Sequence, residues 1–353
     1  SLLPPDKWDT HYELCLEIYK DLAECEHLST HFTEADKLFE YILKNIKSVL
    51  DKIPIIHIQL RQKASEYKGD EAFQIGFNML EQLGLKMPDL TKPETTIEMF
   101  MMQLNEYKQL LGERAIPSLF DLPTMSDPNI LEAISLITKI GDIAIAMKQE
   151  MLGLMSIMGV TLSLKYGNTN VSPISYVMWG VINNLGFRDY DSGYEFGQLS
   201  LKLNRAKFPS DLIFGKIYAF YGWNIHHYKH HTKYDLEIAQ KGYEVAMANS
   251  DLVYSMYFVI MFLKVAFNIG LSLDEVAEYG KKVQAFTDKY KTIFATMIGN
   301  PTIMATLALQ GKTENPTSLN SPGYKEEDYI KNVSGFGQST VYFYLRKFQL
   351  CYL

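Results

Sequence analysis

The sequence predicts an all-α protein, and three observations predict it. Asn-Gly and Asp-Gly hairpin turns do not occur, and no stretch alternates apolar with polar residues long enough to make a strand. Blocks in which apolar residues recur every three or four positions follow one another along the chain, as amphipathic helices require. The breaks between them carry Gly, Pro, Asn or Asp and are mostly short enough to be turns.

The elements read in order as follows. His11 to Leu28 sets Leu14, Ile18, Leu22 and Cys25 on one stripe, which the periodicity marks for burial. Thr33 is a candidate cap for the next block, with Ala35, Leu38, Phe39 and Ile42. Helices are expected from Ile53 to Tyr67 and from Asp70 to Leu83, before Gly84 and Pro88 break the pattern. Pro88 and Pro93 bound a connector, helix resumes from Thr96 to Leu111, and Ala115 to Pro128 is irregular. Asp127 can cap a helix that starts on Pro128, where a missing amide proton costs nothing. Long helices follow at 129–148, 150–166 and 173–185, and further pairs run to Gly311. Lys312 to Lys325 is the most loop-like stretch. A last helix, Gly337 to Leu353, stops on the apolar run Phe348 to Leu353, which reads as a boundary inside a larger protein.

A repeat shows in the second helix of several pairs. Phe32 and Ala35 precede Phe39 and Ile42, Gly69 and Ala72 precede Gly76 and Met79, and Tyr190 and Gly193 precede Gly197 and Ser200. The small residue fits where two helices cross, because a larger one would push their backbones apart. One such pair cannot bury its own apolar faces, so neighbours stack. The spacing from Ala35 to Ala72 slightly exceeds the ~34 residues of a tetratricopeptide repeat. The expected architecture is therefore tetratricopeptide-like helical hairpins stacked into a curved solenoid. Its segments are hairpins at 1–88, a connector at 89–128, a central array at 129–311, a loop at 312–336 and a further helix at 337–353. The competing reading is an irregular bundle whose Ala and Gly crossings imitate a repeat.

Composition narrows the function. Hydrophobic residues make up 47% and charged residues 21%, which is ordinary for a folded domain. A net charge of −7 lacks the basic footprint that nucleic acid requires. Cys15, Cys25 and Cys351 are too few and too scattered for a disulfide framework or a zinc ribbon, and they fit a reducing, cytoplasmic location. Ser1 to Lys7 lacks the basic-then-apolar build of a signal peptide. The apolar run Leu252 to Leu263 ends at Lys264, short of the ~18 residues of a membrane span.

Four stretches carry a resemblance. They are Leu3-Pro4-x-x-x-Trp8-x-x-His11-Tyr12-Glu13-Leu14 with Ala23-Glu24-x-Glu26-x-Leu28; Gly112-x-Arg114-x-Ile116-x-x-Leu119-x-x-Leu122-Pro123-x-Met125-x-Asp127-Pro128; Leu162-x-Leu164-x-Tyr166-Gly167-Asn168 with Ser172, Tyr176 and Gly180; and Asp189-Tyr190-x-x-Gly193-Tyr194-x-Phe196-Gly197-x-Leu199-x-Leu201 with Asp251-Leu252-Val253-Tyr254. Together they resemble the helical region that follows the ATPase module in large bacterial and fungal signalling proteins. Those proteins join a Ser/Thr kinase-like domain, a predicted AAA-type ATPase, this region, often a GAF domain, and a histidine kinase. The resemblance covers essentially the whole chain. It implies a connector between an ATPase and its output domains that senses a ligand or partner. The family's catalytic motifs are not in this sequence. Gly311-Lys312-Thr313 resembles the end of a phosphate loop, but Thr306 stands where its first glycine belongs.

Two side-chain groups invite a chemical reading. If Asn224 to His231 is helical, His226/His230 and His227/His231 form two pairs at the spacing that chelates a transition metal. No glutamate accompanies them in the HExxH manner, and Lys229 disfavours a cation, so no metal and no cofactor are expected. Tyr176, Trp179, Asn183, Tyr221, Asn224 and His227 (with Asn184 and Trp223 beside them) come from nearby helices and form a candidate groove for a peptide or a small polar ligand. Inter-helix packing explains the same aromatics. Met99 to Met102, and Met147, Met151, Met155 and Met158, read as core fill or as an adaptable partner face. No catalytic residue is nominated.

The expected function is a non-catalytic regulatory region of a signalling ATPase or kinase. Its partners would be protein segments or flanking domains of the same polypeptide, or a small polar ligand, and neither nucleic acid nor membrane. The alternatives are an oligomerisation module, as a homodimer, and a helical metal-binding protein using His226, His227, His230 and His231.

Overall fold

The computed structural model describes residues 4, 6–334 and 337–353. Leu3 of the first resemblance stretch, Ser1, Leu2 and Pro5 of the N-terminus, and residues 335 and 336 of the 312–336 segment lie outside the described residues. The described residues are helical throughout. Their only β-type contacts are two isolated backbone bridges, Thr124 with Asn168 and Ser321 with Tyr324. The chain divides into two compact units, Ser1–Ile182 and Asn183–Leu353, so the 129–311 segment is shared between them.

The first unit holds α1 (Lys7–Thr10), α2 (Tyr12–Leu28), α3 (Phe32–Asn45), α4 (Val49–Ser65), α5 (Gly69–Gln82), α6 (Pro93–Leu111), α7 (Pro128–Met147), α8 (Leu152–Tyr166) and α9 (Ser172–Ile182). A 3-10 turn, Ile116–Asp121, precedes α7. The Asp127 carboxylate accepts from the amides of Asn129 and Ile130, and Pro128 opens α7. That start was legible because a cap and an N1 proline are local signals. Thr33 does not cap α3. It sits inside the first turn, and His31 precedes the helix without a side-chain bond. Helix α4 begins earlier than its Pro54 implies, because the Ser48 hydroxyl caps it by accepting from the Asp51 amide.

Helix α2 buries a different face from the one its periodicity marks. Leu14, Ile18, Leu22 and Cys25 are exposed, while Cys15 and Ala23 are fully buried. Small residues decide this. Ala23 and Ala35 admit close approach of α2 and α3, and Phe39 and Ile42 fill one cluster with Ile55 and Ile58 of α4. Each such apolar side chain contributes about 1.5–3 kcal/mol on burial. A second cluster joins α4, α5, α7 and α8 through Leu60, Phe77, Ile137, Ile140 and Met155. At its centre a Cβ on Gly76 would lie 2.6 Å from Ile140 Cδ1, so the glycine permits that spacing. Met151, Met155 and Met158 are core, whereas Met101 and Met102 are about half exposed.

The second unit holds α10 (Tyr190–Ala206), α11 (Asp211–Asn224), α12 (Asp235–Ala248), α13 (Leu252–Asn268), α14 (Leu273–Tyr290), α15 (Ile293–Leu309), α16 (Glu326–Val333) and α17 (Gly337–Tyr352). Asp189, Ser210 and Asp251 cap α10, α11 and α13, and Ser272 with Glu275 forms a full capping box on α14. Helix α11 packs on α12 and α13, α13 on α14 and α15, and α15 on α17, so next-but-one packing runs along α11, α13, α15 and α17. Helix α16 lies inside the segment expected as loop. Its buried Tyr329 and Val333 anchor it on the core of α13, α14 and α15, a tertiary contact that local composition does not encode. No helix among the described residues is long and apolar enough to cross a membrane.

Candidate functional site

Tyr176 and Trp179, the two groove candidates in the first unit, lie on α9 and are buried. The Tyr176 hydroxyl donates to Asn168 Oδ1 at 2.9 Å, and Asn168 Nδ2 donates to the Leu119 carbonyl at 2.8 Å. The backbone completes the knot, with Asn168 N donating to Pro123 O and Met125 N donating to Asn168 O. Ser172 Oγ accepts from Thr169 N and bonds Ser163 Oγ at 2.8 Å. These residues are the same ones that carry two of the resemblance stretches. Their role here is to lock the 116–125 segment onto the α8–α9 turn. Burial pushes the Tyr176 phenol well above its ordinary pKa, so it stays a neutral donor. Trp179 packs edge-on against Tyr107 at 5.4 Å between ring centroids.

Asn183, Tyr221, Asn224 and His227 belong to the second unit. Asn183 is buried in a π-helical turn, Asn183–Phe187, and its carbonyl accepts from the Asp189 amide at the start of α10. Asn184 Nδ2 donates to the Asn224 carbonyl at 2.8 Å, which ties that turn to the end of α11. Tyr221 is held by Gln198 Nε2, which donates to its hydroxyl at 2.6 Å. Burial, reinforced by Tyr194, raises the Tyr221 phenol above its usual range. Gly197 fixes where that ring sits, since a Cβ there would lie 2.8 Å from Tyr221 Cδ2.

The histidines do not continue α11. That helix ends at Asn224, and a 3-10 turn, His226–Tyr228, follows. The helical premise of the two chelating pairs therefore fails, because Ile225 leaves helical geometry. Instead, His226 Nδ1 bonds the buried Asp235 carboxylate at 2.5 Å, and its ring stacks on His230 at 4.6 Å. His230 Nε2 bonds the Tyr194 hydroxyl at 2.9 Å, and His231 Nδ1 accepts from the Lys233 amide. Burial lowers the His227 pKa against the opposing pull of Asp235 and a hydrogen bond to Gly222. Among the described residues no group of three His, Cys, Asp or Glu side chains is placed to hold a metal ion.

Around this cluster the surface is aromatic. Tyr190 stacks on Tyr228 at 4.4 Å and 16°, both rings being partly exposed, and Lys229 pairs with Asp191 beside them. The groove candidates Tyr221, Asn224 and His227 lie in this unit with Tyr190, Tyr194, Tyr228 and Asp235, which the groove reading from sequence did not include. The one local signal for Asp235 was a carboxylate following a histidine run by a few residues. The Tyr190 and Tyr228 stack joins α10 to the turn after α11 and has no local signal.

One relative was found, the hybrid signal transduction histidine kinase G of Dictyostelium discoideum. The chain is 20% identical to it over 302 residues, which cover 80% of this chain and 9% of that protein. The chain thus spans under a tenth of the relative's length. No family model matches the chain, and no solved structure does. What the comparison supports is a distant likeness to a signalling kinase.

Proposed function

We propose that this chain is a non-catalytic regulatory and interaction region of a multidomain signal-transduction protein, built from tetratricopeptide-like helical hairpins. The observation that carries the reading is the likeness to a signal transduction histidine kinase along 80% of this chain but only 9% of the relative. Neighbour and next-but-one helix packing in the second unit supports the hairpin-repeat part, because such stacks bury faces that one pair leaves open.

The interaction face is the aromatic surface of Tyr190, Tyr194, Tyr228 and His230, with Tyr221, Asn224 and His227 packed beneath it. Aromatic rings bring large contact area with few rotatable bonds, which suits docking of a polypeptide segment. The occupant is a segment of the flanking domains of the same polypeptide, at a cytoplasmic location and without a cofactor. Calorimetric titration of the chain with the flanking domains of its full-length protein tests this. Saturable binding weakened at least tenfold by Tyr190→Ala with Tyr228→Ala is expected. Unchanged binding in the double variant, or ATP-dependent phosphotransfer by the chain alone, sinks the reading.

One observation favours a second reading. The exposed stripe of Leu14, Ile18 and Leu22 on α2 suits a self-associating face. Sedimentation of the chain separates the two, since a stable dimer lost on Ile18→Lys favours an oligomerisation module.

A further inference from the structure

The core of the second unit contains two cationic side chains with no anion. Lys264 on α13 is 7% exposed and Arg346 on α17 is 2% exposed. Neither makes an ion pair to any described carboxylate. Arg346 donates from Nε to Thr302 Oγ1 at 3.1 Å and from Nη1 to Asn268 Oδ1 at 2.9 Å and Gln349 Oε1 at 2.7 Å. All three acceptors are neutral. Lys264 Nζ has no hydrogen-bond partner, and neither does the buried Nε1 of Trp223. Nζ lies 2.8 Å from the centroid of the Tyr342 ring and 4.6 Å from that of Trp223.

The geometry follows from helical spacing. Lys264 and Asn268 are one turn apart on α13, and Tyr342 and Arg346 are one turn apart on α17. Lys264 meets Tyr342 and Asn268 meets Arg346, as two rungs between the helices. Thr302 of α15 and Trp223 of α11 close the sides. Asn268 is exposed, and Tyr342 and Gln349 are half-buried, so the cluster reaches the surface on that side.

Buried charges are ordinarily paired, since an isolated one carries a large desolvation cost. Arg cannot escape that cost by losing its proton, whereas Lys can. Burial, with the Arg346 charge adding to it, drives the Lys264 pKa well below its usual value. Two unpartnered buried donor atoms beside a guanidinium with no counter-ion lack one thing, an acceptor that carries negative charge.

We propose that Lys264, Arg346 and Trp223 form a binding site for a small oxyanion, a carboxylate or phosphate group entering past Asn268. The anion neutralises Arg346, accepts from Trp223 Nε1 and Lys264 Nζ, and raises the Lys264 pKa, so that proton uptake from solvent accompanies binding. The charged and titratable groups facing Lys264 are Arg346 and the Tyr342 phenol from α17. Neither supplies that proton. This site is separate from the aromatic face of the second unit and stands whether or not that face binds a partner.

The test is titration calorimetry of the full chain with sodium acetate and, in a second arm, inorganic phosphate, at constant ionic strength. Each arm is repeated in two buffers of different ionisation enthalpy. The expected result is saturable binding accompanied by proton uptake. Affinity should fall as pH rises. Acetate binding alone assigns a carboxylate, and tighter phosphate binding assigns a phosphate group. Lys264→Met keeps the stem, removes the proton uptake, and should weaken binding at least tenfold while raising Tm without anion. Its folding is read by that Tm, so the result does not depend on an Arg346 variant. Absence of saturable binding by either anion, or binding unaltered in Lys264→Met, overturns the proposal.

Discussion

The Tyr176 hydroxyl donates to Oδ1 of Asn168 at 2.9 Å, and both side chains are fully buried. Through the other end of its amide Asn168 holds the Leu119 carbonyl, so one asparagine links α9 to a segment some fifty residues earlier. Tyr176→Phe leaves Asn168 Oδ1 buried without its donor. The expected loss is about 1–3 kcal/mol. Asn168→Ala removes the Tyr176 acceptor and the donor to the Leu119 carbonyl together and should cost more. The urea midpoint of the two variants, compared at constant m value, checks the order.

Gly167 is the second requirement of the same knot. Its φ is +103°, and a Cβ there would sit 2.3 Å from the Pro123 carbonyl oxygen, a backbone atom that cannot swing away. Gly84 has a similar φ of +91° with open space around it. Gly84→Ala should therefore cost about 1–2 kcal/mol from strain alone. Gly167→Ala should cost several kcal/mol more or prevent soluble expression. Equal stability of the two variants would remove the knot from the account.

His57 on α4 makes stability depend on pH. Burial first, then the Lys139 and Arg61 charges, lowers its pKa from 6.5 to about 4. The unfolded chain therefore binds a proton at a higher pH than the folded one. The stability contribution is fully present above pH 6.5 and is lost as pH falls from there towards 4. At about 1.4 kcal/mol per unit, the loss is at most about 3.5 kcal/mol. His57→Phe should flatten the urea midpoint across that window while leaving the carboxylate-driven loss at lower pH. An unchanged slope would show that His57 titrates normally.

Gly197→Ala tests how the aromatic face is set. The added methyl would meet Tyr221 Cδ2 at 2.8 Å and Ile225 Cγ2 at 3.1 Å, so the ring must shift and strain the Gln198 hydrogen bond. A cost of about 1–3 kcal/mol is expected, with weaker partner binding than Ala substitution at a distant surface site. Wild-type near-UV CD and an unchanged Tm would show that Tyr221 has room to move.

Much of the architecture is local and was legible. Caps such as Asp127, breaks such as Gly84 and the three- to four-residue apolar spacing are properties of short windows, so helix order and most boundaries follow from them. Which candidate site residues are covered was not legible. Tyr221, Asn224 and His227 were named from composition and spacing. Tyr176 and Trp179 have the same composition, yet they pack inside the first unit. A ring at helical spacing does not say whether it will be covered.

By itself the sequence determined an all-helical chain, the capped start of α7 at Asp127 and Pro128, and the lack of a phosphate-loop or histidine-kinase motif. Tertiary structure alone decided that Cys15 and Ala23, not Leu14 and Ile18, face inward on α2. It alone decided that the histidine run leaves the helix, that α16 forms on a buried Tyr329, and that Lys264 meets Tyr342. The physical reason is one of range. Hydrogen bonds and caps within a helix depend on residues a few positions away. Which face is buried, and which charge is left without a partner, depends on side chains that only the folded chain brings together.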